Sequence, residues 1–295
     1  MKIALAGLGN MGFSMAEKLL AKPFPLTVTN RTKEKALPLL EKGALWASSP
    51  ADAAKGASIF ATILSNDEAL ESLLYDAGVL DALPEGSVHL SLSTISIELS
   101  RTLEAEHTKR HQGFVSAPVF GRPEAVVEGR LRVLCAGAPS SVTSVMPILE
   151  TLGSKVFRLG DSPYVANLVK LSGNFMIAAA LEALGESFAL VRSAGVDPAL
   201  FLEILNDSLF RSPLYENYGK IMAEKRYNKA GFTMDLGLKD LHLILEAAES
   251  LRVPLPVASI ARDSFLAGLA RGRQHLDWSA IVLSHYERAG LEENR

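Results

Sequence analysis

One cysteine in 295 residues, Cys135, rules out an intrachain disulfide, and its setting in the apolar run Leu131-Arg-Val-Leu-Cys-Ala136 reads as strand core. No histidine pattern stands near it in sequence, so a cysteine nucleophile is the weaker reading. An excess of one charge is missing too: 30 basic residues oppose 33 acidic ones, and no Lys/Arg block is dense enough to follow a nucleic-acid backbone. The longest apolar stretches fall short of the ~20 residues that span a bilayer. The first residues, Met1-Lys-Ile-Ala-Leu-Ala-Gly7, already read as a strand, which leaves no room for an apolar signal segment and cleavage site. Low-complexity tracts and short-period repeats are absent as well, which argues against a solenoid. A soluble, cytoplasmic protein binding neither nucleic acid nor membrane is expected.

A chain of this length with 48% hydrophobic residues can bury two ordinary cores. In the first half, short apolar runs (Lys2–Ala6, Leu26–Thr29, Ser58–Leu64, Ser87–Leu92, Gly113–Val115 and Leu131–Ala136) alternate with helical patterns such as Met11–Ala21, Lys33–Lys42 and Ile97–Arg110. That alternation predicts a mostly parallel, doubly wound α/β sheet covered on both faces. Near residue 160 the pattern changes. Leu159-Gly-Asp-Ser-Pro163 closes the last strand-like run and starts a helix, with Asp161 or Ser162 as N-cap and Pro163 in the first turn. No proline interrupts the stretch from Tyr164 to Ser193, and everything after it is helical in pattern. Expected are a Rossmann domain over residues 1–160 and an all-α domain over 161–295, joined by a long helix.

Gly7-Leu8-Gly9-Asn10-Met11-Gly12 follows a predicted strand and opens a predicted helix, the context in which G-x-G-x-x-G signifies a dinucleotide site. Gly7 permits the tight turn, Gly9 lets the backbone approach a pyrophosphate, and Gly12 allows close helix–strand contact. About 20 residues on, where an NAD site carries a carboxylate for the ribose 2′-OH, stands Asn30-Arg31-Thr32. Arg31 can pair with a 2′-phosphate and stack on adenine, with Asn30 and Thr32 adding neutral hydrogen bonds, so NADP(H) is preferred over NAD(H). The alternative makes Arg31 only the solvated start of the next helix. Ser65 and Asn66, after Leu64, and Thr94 fall at the carboxyl ends of predicted strands, where open α/β sheets bind ligands.

These residues, with Leu92-Ser-Thr-Ile-Ser96, Ser116-Ala-Pro-Val119 followed by Gly129-Arg-Leu131, Lys170-Leu-Ser-Gly-Asn174, Leu238-Lys-Asp-Leu241 and Asp277-Trp-Ser-Ala280, resemble the β-hydroxyacid dehydrogenase family over nearly the whole chain. The resemblance implies an NADPH-dependent oxidoreductase that moves hydride to or from a small aldehyde, ketone or β-hydroxy acid. It implies Lys170 as catalytic proton donor and Asn174 as the group orienting the substrate; their i,i+4 spacing independently puts them on one helix face. It also gives cofactor contacts at Leu64, Ser65, Asn66 and Thr94, and at Lys239 across an interdomain cleft. For Lys239 the alternative is a helix-surface Lys–Asp pair of little worth. Relatives form dimers or tetramers, and the apolar later helices fit a homodimer or homotetramer.

The family's substrate loop usually reads Asp-Ala-Pro-Val-Ser-Gly-Gly, whereas here stands Ser116-Ala-Pro-Val-Phe120-Gly121-Arg122-Pro123-Glu124. Phe120 replaces a hydroxyl with an apolar ring, and Pro123 removes a backbone donor. Arg122 could restore anion binding, pair with Glu124 or face solvent. Tyr164 stands where relatives often have a small residue, free to enter the cleft or to pack under the strand ends. His107 and His111 share the spacing of a helical metal pair, but their segment is highly charged and offers no clear third ligand, so a solvated face is expected and no metal is assigned. Imine reduction is the alternative within enzymology, since imine reductases share the two-domain plan; retention of Lys170 favours carbonyl chemistry. A non-catalytic NADPH-binding scaffold is the reading of another class, and the intact lysine and asparagine speak against it.

Overall fold

The computed structural model describes residues 1–291 and separates into two compact units, one spanning Met1–Lys170 and one beginning at Leu171. In the first unit β1 (Ile3–Ala6), β2 (Leu26–Thr29), β3 (Leu45–Trp46), β4 (Ile59–Thr62), β5 (Val88–Ser91), β6 (Gly113–Ser116), β7 (Val119–Phe120), β8 (Leu131–Gly137) and β9 (Gly153–Arg158) form one nine-stranded sheet in the order β3-β2-β1-β4-β5-β6-β8-β7, with β9 pairing β8. Strands β1 to β6 run parallel, while β8 is antiparallel to both β6 and β7. The stretch 3-2-1-4-5-6 is the Rossmann order, and its switch point lies between β1 and β4.

Alternation along each strand explains why these segments read as unbroken apolar runs. Ile3 and Leu5 enter one core with Met15, Leu19, Ile59 and Leu90; Ala4 and Ala6 enter a second with Phe60, Leu74 and Leu103. With both faces covered, every strand position favours an apolar side chain. The helix Asn10–Leu20 buries Gly12, Met15, Ala16 and Leu19, one stripe at i, i+3, i+4 and i+7, against the sheet. The predicted helix over Lys33–Lys42 is instead a 3₁₀ turn, Lys33–Ala36, followed by Leu37–Glu41 with Pro38 in its first turn; proline suits a helix start and removes a donor further in.

The second unit is helical, with Pro198–Asp207, Met234–Ser250, Pro256–Leu269 and Val282–Arg288 following the long helix Tyr164–Ser193 that carries the chain across the boundary. Trp278, almost fully buried, is met edge-on by Phe232, Tyr218 and Phe265. Gly237 makes that possible, since a Cβ there would come within 2.6 Å of the Phe265 ring. Asp277 caps the turn beginning at Trp278 by accepting from the Ser279 N–H, and it also accepts from the Gly231 N–H at 3.2 Å. The expectation that no apolar stretch could span a bilayer needs correction: the Tyr164–Ser193 helix is long and apolar enough by composition to cross a membrane, with a mean hydropathy of 1.4 in its best window. Its apolar residues are shared between cores, Ala166 and Val169 in the first unit and Ala178, Leu181 and Phe188 in the second.

Candidate active site

The glycine turn follows β1, at the carboxyl edge of the sheet. Gly7 has φ +101° and Gly12 packs against it so closely that a Cβ on Gly12 would lie 2.0 Å from the Gly7 carbonyl oxygen. A Cβ on Gly9 would meet nothing within 4 Å, so the backbone is open where a phosphate would approach. Gly9 caps the helix with no side-chain hydrogen bond, and no acidic residue stands in the first turn. Helix-start N–H groups without a capping side chain or a competing carboxylate form an anion site, so these residues fit a dinucleotide pyrophosphate.

Asn30, at the end of β2, holds the backbone around it: its Oδ1 accepts from the Leu8 N–H at 3.0 Å and its Nδ2 donates to the Thr32 carbonyl at 3.0 Å. It thereby pins the glycine turn to the loop that presents Arg31 and Thr32, both exposed. Lys33, one residue further, lies 5.9 Å from the Trp46 ring centroid. Beyond β4, the Leu64 N–H donates to Ser93 Oγ at 2.8 Å, tying the β4 and β5 ends together. Asn66 caps the helix Asp67–Glu71 by accepting from the Ala69 N–H, and Ser65 Oγ lies 3.4 Å from its Oδ1.

Asn167, which sequence reasoning missed, organises the next part. Fully buried, it accepts from the Ile95 N–H at 3.3 Å and donates to Ser116 Oγ at 2.6 Å. It therefore fastens the turn of helix just before Lys170 to the chain after β5, which carries Thr94, and to the end of β6. Lys170, half-buried, holds its ammonium 4.2 Å from the centroid of the Phe120 ring. Phe120 ends β7 and packs with Leu134, Ala136, Ala166 and Val169, so the ring is a supported platform for the charge. Gly121 (φ +141°) cannot carry a side chain, because a Cβ would lie 2.5 Å from Leu131, and Arg122 stands at the N-cap position of the short helix Pro123–Val127 without a side-chain capping bond. Tyr164 receives the Arg101 guanidinium at 4.2 Å over its ring.

In the second unit Asn174 donates from Nδ2 to Asp240, which is buried, and Lys239 Nζ lies 2.9 Å from the other carboxylate oxygen. Lys239 and Asp240 are 20% and 3% exposed, so the Lys–Asp pair they form is largely buried and not a surface pair. Asp240 also fixes the Asn174 amide, since a carboxylate accepts only and must face the NH₂ side. For Asn167, the available signal was a polar residue in the otherwise apolar run Val165-Ala-Asn-Leu-Val169.

The remaining candidates fall away from these groups. Cys135 is buried in β8, and burial pushes its thiol up to about 11, which leaves no thiolate for catalysis. His107, expected on a solvated face, is fully buried: it stacks on Phe114, its Nε2 lies 2.9 Å from His89 Nδ1, and its Nδ1 lies 2.8 Å from Gln112 Oε1. His107 continues the buried stripe of Ser100 and Leu103 on the helix Ile97–Lys109, while His111 is exposed and lies beyond the helix with φ 52°.

A Rossmann sheet with an open glycine turn and a helix bearing lysine and asparagine define a nucleotide-dependent oxidoreductase. Residues 2–160 match the NAD binding domain of 6-phosphogluconate dehydrogenase, and residues 165–284 match the NAD-binding family of NADP-dependent 3-hydroxyisobutyrate dehydrogenase. The chain is 42% identical over 283 residues to the uncharacterized oxidoreductase YfjR of Bacillus subtilis, covering 96% of this chain and 99% of that protein. It is 31% identical to glyoxylate/succinic semialdehyde reductase 1 of Arabidopsis thaliana, covering 96% and 97%. The crystal structure of 3-hydroxyisobutyrate dehydrogenase from Salmonella typhimurium superposes with a TM-score of 0.87 at 26% identity, covering 96% and 99%. The chain belongs to the β-hydroxyacid dehydrogenase family of NAD(P)-dependent oxidoreductases.

Proposed function

We propose that this protein is an NADPH-dependent reductase of small aldehydes or ketones, or the corresponding β-hydroxy-acid dehydrogenase in the reverse direction, with Lys170 as proton donor. The observation that carries this reading is the pair of Asn167 hydrogen bonds that fasten the Lys170 turn to the carboxyl ends of β5 and β6. Ligands of open α/β sheets bind at that edge.

Gly9, Gly12 and the first helix N–H groups would hold the pyrophosphate, and Arg31 the 2′-phosphate. The bound cofactor supplies or accepts the hydride. Negative charge grows on the carbonyl oxygen during reduction, and the Lys170 ammonium stabilises that charge and gives the oxygen its proton. Phe120 holds the ammonium in place through its π face, while Asn174, itself held by Asp240, orients the substrate. The relatives, named as reductases and dehydrogenases, support the reading further.

The test is a panel of aldehydes, ketones, β-hydroxy acids and imines, each assayed with NADPH and NADH. Turnover of a carbonyl or hydroxy acid with NADP(H) as the better cofactor is expected. A protein that turns over imines alone, or that binds NADPH without turning over any member, contradicts the proposal.

A further inference from the structure

Among the described residues, one group of three metal-ligating side chains gathers in the second unit: Glu182 and Glu186 from the long helix and His285 from the helix Val282–Arg288, with one ligand atom of each within 4.8 Å of the others. None of them has a part in the hydride chemistry proposed above. Glu182 and His285 are each about 5% exposed, whereas Glu186 is exposed.

The two buried groups are oriented oddly for a simple ion pair. Glu182 Oε1 is committed, accepting from Ser264 Oγ at 2.8 Å, and that hydroxyl accepts in turn from Arg288 Nη1 at 3.2 Å. Glu182 Oε2 and His285 Nε2 face each other at 3.3 Å, yet neither makes a hydrogen bond, although both are shut off from water. A buried carboxylate oxygen and a buried ring nitrogen are each costly to leave in that state. The spacing suits another arrangement: two ligands about 2.0–2.1 Å from a tetrahedral zinc-type ion stand roughly 3.3 Å apart, longer than the usual ~2.9 Å of an N–H···O bond.

The helix is shaped to bring the imidazole in. Gly185 lies between the two glutamates, and a Cβ there would be 2.7 Å from His285 Cδ2, so only glycine lets the ring lie against this helix. Glu186, four residues after Glu182, projects from the same face at the solvent edge. From these observations we infer that Glu182, Glu186 and His285 form a binding site for a divalent transition-metal ion. Imidazole selects a zinc-class ion over magnesium, and three protein ligands with one at the surface leave a position for water. The Ser264 hydroxyl fixes the carboxylate from behind, the kind of outer contact that orients metal ligands.

The experiment uses the full chain, stripped of metal by chelator and dialysis, and titrated with Zn²⁺, Co²⁺ and Mg²⁺ without nicotinamide cofactor, so that it is independent of the proposed activity. Calorimetry should give one Zn²⁺ ion per chain, Co²⁺ should develop ligand-field absorption of a low-coordinate site, and Mg²⁺ should do neither. Glu186→Gln, an exposed change that does not threaten the fold, should weaken Zn²⁺ at least tenfold, and His285→Gln should abolish the Co²⁺ spectrum. No saturable Zn²⁺ binding by the unmodified chain, or binding unchanged by Glu186→Gln, overturns the inference and leaves a bare carboxylate–imidazole pair.

Discussion

Two single side chains, Arg31 and Phe120, carry the residue-scale tests of the proposed function. Arg31 is exposed just after β2, with Asn30 and Thr32 beside it in place of a carboxylate, and under the proposed function it pairs with a 2′-phosphate. A charge-assisted contact is worth about 1.5–3 kcal/mol, so Arg31→Ala should weaken NADPH roughly 10- to 100-fold while moving NADH by only a few fold. Fluorescence titration with both cofactors checks this, and equal losses for the two would remove Arg31 from cofactor selection. The Lys170 ammonium lies 4.2 Å from the centroid of the Phe120 ring. Phe120→Leu keeps the apolar bulk and deletes the π face. At about 0.5–2 kcal/mol for such a contact, kcat should fall roughly 3- to 30-fold with NADPH affinity unchanged, and Phe120→Tyr should retain most of the rate. Equal rates in the leucine and tyrosine variants would show that the ring only fills space.

At the scale of elements, the hydrogen-bonded run Thr62–His89–His107–Gln112 joins β4, β5 and the helix Ile97–Lys109 inside the first unit. Burial lowers His107 from 6.5 to about 4, and burial together with His107 holds His89 well below the ordinary imidazole value. Between about pH 6.5 and 4 the unfolded chain takes up protons that the folded pair refuses. Stability is therefore full above about 6.5 and falls as pH drops toward 4, by about 3 kcal/mol for His107 alone. Urea denaturation at pH 7, 5.5 and 4.5 should show that loss, and His107→Gln should remove about one proton from the slope; a flat profile over this window would mean the pair is protonated when folded. Patterns of strand and helix were legible because they reflect burial on two faces. Strands β3 and β7 escaped because each has two residues, too short for any periodicity, and β9 was read only as a strand-like run ending at Leu159 because its residues are mostly exposed. His107 and Asn167 escaped for a related reason. Their partners His89, Ile95 and Ser116 come from other elements, and composition alone reads a polar side chain among charged or apolar neighbours as surface.

For the molecule as a whole, the glycine turn was legible because local geometry forces its glycines, and Asn30, Lys170, Asn174 and the Lys239–Asp240 dipeptide were named from the sequence, whereas Asn167 and the hydrogen bonds by which Asn30 and Asp240 hold their neighbours became visible only in the fold. Association is expected as well. Met176, Leu190 and Leu209 are 68%, 73% and 95% exposed in the second unit, apolar side chains that a second copy would cover. Light scattering at micromolar concentration should give a dimer or tetramer, and a monomeric mass would contradict that. The central claim is that Lys170 performs chemistry while the glycine turn and Arg31 hold the cofactor, and the most direct measurement is kcat against NADPH affinity for Lys170→Ala on the best carbonyl substrate found. The account predicts a kcat lower by about 10²–10⁴-fold with NADPH affinity nearly unchanged; a variant that keeps near-normal kcat, or that loses NADPH binding in proportion to rate, would contradict it.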